Sequence, residues 1–151
     1  MNTNMRLITL IFILLVPSWA GAIKLDENVR LADLNAIHIT IDDQALQGCW
    51  TNLRESKEYA AGKIETLGVT VEENWDDAEF ILAISVQAQR LKTGQCFGHV
   101  HVMIFKVTSL VSGIGGIHVV STKGGISFNP KNLNYFVLDV IASSMKDWQL
   151  Q

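Results

Sequence analysis

Three side chains spaced for metal chemistry fall close together in the second half of this 151-residue chain. His99, His101 and Met103 form a His-x-His-x-Met step, and a strand would put all three on one face because successive side chains alternate. Imidazole and thioether together suit copper, with zinc the other candidate ion. Residues two apart on a strand lie about 6.6 Å apart, so both imidazoles just reach one ion. The competing reading needs no ligand: an exposed sheet face tolerates histidine, and Met103 and Phe105 pack under a loop. His38 and His118 approach the site only if their strands neighbour this one. No motif calls for any other cofactor.

The two cysteines, Cys49 and Cys96, are the other reactive pair. In an oxidising compartment such a pair is expected to form one bridge, which removes both as nucleophiles and adds about 4 kcal/mol in the chain-entropy model. Two separate thiols, or two soft metal ligands, are the alternatives. Local catalytic signatures are missing: the chain has no Gly-x-Ser-x-Gly elbow, no His-Glu-x-x-His and no phosphate loop. Gly113, Gly115 and Gly116 lack dinucleotide-binding spacing. The acidic pairs Asp42-Asp43, Glu72-Glu73 and Asp76-Asp77 lack the spacing of a calcium hand and read as solvated turns. A catalytic set assembled in space leaves no local trace.

Around the His-x-His-x-Met step the chain reads as a long antiparallel hairpin. Phe80 to Leu91 and Cys96 to Phe105 are rich in β-branched and aromatic residues, and a Lys-Thr-Gly-Gln break at 92–95 separates them. Phe80, Leu82, Ile84, Val86 and Ala88 form one inward set, and Val100, Val102 and Ile104 the other. The outward face carries Ile81, Ala83, Met103 and Phe105 among polar groups. That mixture is more apolar than an idle surface, which makes Ile81, Ala83 and Phe105 candidate partner contacts.

The flanking elements follow from periodicity. Lys24 to Asn35 is an arm or short strand, and Ala36 to Ile41 alternates as a strand that Asp42-Asp43 should end, capping the next helix. Leu46, Trp50, Leu53, Ala60, Ile64 and Leu67 recur at three- and four-residue steps, predicting a helix from about Leu46 to Leu67 with Gly68 as its terminator. Val69 to Glu72 is a strand, giving a parallel crossover with the first. After the hairpin come a turn at Val111 to Gly116, a strand from Ile117 to Thr122, and a bulge or second turn at Lys123-Gly124-Gly125 before Ile126 to Phe128. Asn129-Pro130 should open a last helix whose inner face is Leu133, Phe136, Val137, Val140, Ile141, Ser144 and Trp148. The order β-α-β-β-β-β-α predicts one α+β domain: a mixed, mostly antiparallel sheet of four to five strands with two helices on one face.

Residues 1–22 read as a cleavable secretory signal. Arg6 precedes an apolar run from Leu7 to Val16, and Pro17 to Ala22 ends in small residues, with cleavage expected after Ala22. The run is shorter than the roughly 18 apolar residues of a spanning helix, so no stable membrane span is expected after cleavage. The single domain then occupies 23–151, in the periplasm or medium. Thirteen acidic and four basic residues lie between Asp26 and Glu79, against two acidic and six basic from Phe80 onward. A net-acidic exported chain without a basic stripe argues against nucleic acid.

The run of strand, amphipathic helix, Leu67-Gly68-Val69-Thr70-Val71, acidic joint, then Ala78-Glu79-Phe80-Ile81-Leu82 and a long hairpin resembles the amino-terminal domain of TolB, and CsgG-like and related envelope accessory proteins. The resemblance spans Ala36 to about Trp148 and implies an assembly or accessory module, with no functional residue carried over. The lipid-bearing cysteine common among those lipoproteins is absent. The sequence therefore predicts a periplasmic or secreted accessory protein that binds an envelope protein or component through an exposed sheet face or edge, rather than an enzyme. Two readings stand beside it: a small periplasmic copper-type protein using His99, His101 and Met103, and a hydrolase with no local motif.

Overall fold

The computed structural model describes residues 24–25, 33–109 and 115–148. The signal reading of 1–22 and most of the turn expected at 111–116 lie outside the described residues. The strands are β1 (Lys24–Leu25), β2 (Ala36–Ala45), β3 (Thr70–Glu72), β4 (Phe80–Arg90), β5 (Cys96–Ser109) and β6 (Gly115–Asn129), with helices α1 (Leu53–Thr66) and α2 (Asn134–Trp148). They form one sheet in the order β1-β6-β5-β4-β2-β3. Strand β2 is parallel to both β3 and β4, and β1 is parallel to β6. The long β4–β5 and β5–β6 ladders are antiparallel and carry most of the paired residues. This is the expected mixed α+β sheet, with the two-residue β1 added at its edge.

The inward sets behave as their alternation dictates. Phe80, Leu82, Ile84, Val86 and Ala88 of β4 are buried, as are Val100, Val102 and Ile104 of β5. They share one cluster with Ala60 and Ile64 of α1 and with Val137, Val140, Ile141 and Met145 of α2, so both helices cover the same face. Burying one stripe of each helix against one face of a sheet is the least costly way to hide both from water. Among the described residues no helix is long and apolar enough to cross a membrane.

Two glycines let α2 come close. A methyl built on Gly98 would lie 2.5 Å from Ala88 Cβ, 2.6 Å from the Gln87 carbonyl oxygen and 2.7 Å from Leu133 Cδ1. At Gly125 it would sit 3.0 Å from Cζ of Phe136. The ring and the leucine occupy volume that any other residue would claim.

Several boundaries differ from the sequence expectation. Strand β2 runs through Asp42 and Asp43 to Ala45, so neither carboxylate caps a helix. The reason is pairing: Asp42 to Ala45 stay in register with Ser85 to Ala88 of β4. Helix α1 begins at Leu53 rather than near Leu46, because Gln47 and Gly48 both take positive φ and Cys49 is tied to Cys96. Gly68 does end the helix at φ 81°, its N–H bonded to the Glu65 carbonyl. At the other end of the chain α2 starts at Asn134, not after Pro130; the Asn129 side chain instead closes a turn by accepting from the Lys131 N–H. Strand β6 passes straight through Lys123, Gly124 and Gly125, which pair with Val102, His101 and Val100. The irregularity lies at Val120, where Ser121 faces Ile104 and Val119 faces Phe105.

The Cys49–Cys96 disulfide is present, with the Cα atoms 5.5 Å apart. Removing it by Cys49→Ala with Cys96→Ala should cost about 4 kcal/mol in urea unfolding, and reduction should raise the intact mass by two hydrogens. Gly98→Ala should cost about 1–3 kcal/mol in the same assay through overpacking; an unchanged urea midpoint would show that neither β4 nor Leu133 crowds that position.

Candidate functional site on the uncovered sheet face

The face away from the helices is a grid set by register. Its rows, crossing β2, β4, β5 and β6, read Gln44, Gln87, His99, Ile126; then Asp42, Ser85, His101, Gly124; then Thr40, Ala83, Met103, Thr122; then His38, Ile81, Phe105, Val119. Beyond Gln44 the next row pairs Gln89, Phe97 and Phe128. The three residues of the His-x-His-x-Met step therefore do share this face. His38 lies two strands away from them and its Nδ1–H donates to the Glu72 carbonyl at 2.9 Å. His118 sits opposite Lys106, beyond the bulge. Neither joins the pair.

The imidazoles of His99 and His101 have centroids 5.8 Å apart. His101 Nε2 is hydrogen-bonded to Thr122 Oγ1. Gly124 makes this arrangement possible: a methyl there would lie 3.3 Å from His99 Nε2 and 3.2 Å from His101 Cδ2. Burial, and secondly the neighbouring His99, hold the His101 pKa below the ordinary histidine range.

Asp42, Ser85 and His101 occupy one row, but their hydrogen bonds run in the wrong order for nucleophilic catalysis. The Ser85 hydroxyl donates to Asp42 Oδ2 at 2.8 Å, while His101 engages Thr122. In a serine hydrolase the imidazole must take the serine proton and the carboxylate must hold the imidazole. Gln44 reinforces the other arrangement by donating to Asp42 and accepting from Gln87 at 2.7 Å.

The candidate contacts Ile81, Ala83 and Phe105 are half-buried and lie in the rows nearest Val119, itself buried. The most exposed apolar residues of this face are at the opposite end. Ile126 is 65%, Phe128 63% and Leu46 61% exposed. Phe97 stacks on Phe128 at 4.6 Å, and Leu46, Phe97, His99 and Ile126 line an open groove of about 390 Å³. Sequence reasoning missed this end because Leu46 fitted the stripe of the following helix and Gly124-Gly125 suggested a break. The available signal was the spacing of Gly124, Ile126 and Phe128, two residues apart on an unbroken strand.

No protein-family model matches the chain, and no curated protein matches it. Among solved structures, a PelC dodecamer from Paraburkholderia phytofirmans is similar over 76% of this chain and 87% of that one, at 17% identity and a TM-score of 0.49. The hypothetical protein CT253 from Chlamydia trachomatis is similar over 77% and 94%, at 8% identity and a TM-score of 0.43.

The lowered His101 pKa has a stability consequence. A histidine that binds protons less readily when folded favours the unfolded state once it is protonated there. Its contribution is present above the unfolded value, near 6.5, and is lost as pH falls from there to the folded pKa. The urea midpoint should fall across that window, and fall less in His101→Gln; equal falls would place the titration elsewhere.

Proposed function

We propose that this protein is an exported accessory module of the cell envelope that binds another protein through its uncovered sheet face. The observation that carries the reading is the exposure of Leu46 and Ile126 in one groove, with the exposed Phe128 beside it against Phe97, where water-facing aromatic and aliphatic groups of this size mark contact surfaces. Export is supported by the signal-like character of 1–22 and by the disulfide, which persists in oxidising compartments. The resemblance to TolB-type and CsgG-like accessory proteins points to the same class of role.

The partner chemistry we favour is an extended segment with apolar side chains at alternate positions. Among the described residues, β6 pairs on its outer side with β1 only at His118 and Val119. Its ladder from Thr122 to Asn129 is, among the described residues, to β5 alone. A strand added along that edge gains main-chain hydrogen bonds, and its alternate side chains lie beside Ile126 and Phe128. The half-buried Ile81, Ala83 and Phe105 then serve as the floor of the face rather than its contact centre.

Capture from solubilised envelopes with the immobilised full chain, read by mass spectrometry, tests this reading. Ile126→Asp and Phe128→Asp should each abolish recovery of the partner and leave the urea midpoint within about 0.5 kcal/mol of wild type, as for other exposed substitutions. Full recovery with both variants would move the contact off the groove. Loss only with Ile81→Asp or Phe105→Asp would move it to the opposite end of the face.

A further inference from the structure

The pair of imidazoles offers a chemistry distinct from strand addition, although His99 also lines the groove. His99 and His101 lie on adjacent rows with a glycine where β6 would otherwise place a side chain between them. His99 Nε2 already faces that gap. His101 presents Cδ2 to it, and a half-turn about its Cβ–Cγ bond exchanges Cδ2 for Nδ1, at the expense of the Thr122 hydrogen bond. Two nitrogens then face the position a Cβ would take, which the Val100 carbonyl oxygen also borders, 2.8 Å from it. Met103 follows one row further on, on the same face. Apart from the histidines, Asp42 is the charged residue in these three rows, and its sign favours a cation.

We propose that His99 and His101 bind a single copper(I) ion seated over Gly124, with the Met103 thioether as third donor. Two imidazoles and a thioether form a soft, low-coordination set, and thioether selects copper(I). Zinc takes four nitrogen, sulfur or oxygen ligands in a tetrahedral arrangement. Among the described residues no three His, Cys, Asp or Glu side chains converge, so these residues offer zinc too few of its usual donors.

The test uses the oxidised full chain, with its disulfide intact, titrated with copper(I) in ascorbate and separately with zinc, following the imidazole nitrogen signals by NMR. One equivalent of copper(I) should shift His99 and His101 and leave His38 and His118 unmoved. Met103→Leu should weaken copper(I) binding at least about tenfold, the scale of losing one ligand-shell contact. The double variant His99→Gln with His101→Gln, on the water-facing side of the sheet, should abolish binding with the amide spectrum otherwise preserved. Unmoved signals at one equivalent would overturn the site, as would binding that survives the double variant. Zinc bound as tightly as copper(I), or no effect of Met103→Leu, would overturn the assignment of the ion. None of these measurements requires a protein partner.

Discussion

The ladder between β4 and β5 decides which side chains of this molecule meet water. Ile84 faces Val102 and Val86 faces Val100, all buried, while Ser85 faces His101 and Gln87 faces His99 on the other side. A slip of one residue in β5 would turn its side chains to the opposite face, placing His99 and His101 against α1 and α2. The penalty for burying those groups without partners, on the order of 1–3 kcal/mol each, makes the observed register the one the chain can adopt. Strands β2 and β6 take their own orientation from this pair, since each is registered residue by residue on one of its members.

Much of this was legible because alternation is a local signal. The inward sets of β4 and β5, the Gly68 helix end, the disulfide and the inner face of the last helix from Leu133 to Ser144 were all readable from spacing and residue type, while the Trp148 side chain expected on that face lies outside the described residues. Less legible were places where a long-range partner outweighs local preference. Leu46 and Trp50 fit a helical stripe, yet the disulfide and two positive-φ residues hold that segment as a loop. Asp42 and Asp43 look like a strand end, but their neighbour β4 continues and carries them with it. Gly124 and Gly125 resemble a turn, whereas each is small because something else fills its space: two imidazoles above the sheet and the Phe136 ring below. The metal-like step was visible as a pattern, and the placing of Gly124 beside both imidazoles was not.

The uncovered face is graded along the strands. The half-buried rows around Ile81 and Phe105 lie between the exposed Val107–Ile117 pair and a polar band of Asp42, Ser85, His101 and Thr122, beyond which comes the apolar groove. The band is internally satisfied by one network, which leaves Ser85, Gln44 and Gln87 bound to one another and to Asp42.

Arg90 gives that groove an unusual foundation. One guanidinium donates to the carbonyls of Gln47, Gly94 and Lys131, so it joins the loop before α1, the hairpin turn and the loop before α2. The disulfide fastens the first of these to the start of β5, and the Leu133 N–H donates to the Cys49 carbonyl at 2.7 Å. Three connections that would otherwise wander are thereby held rigid at the end of the sheet where Leu46, Phe97 and Ile126 converge. A surface preorganised in this way forfeits less conformational entropy on any association than a mobile one does.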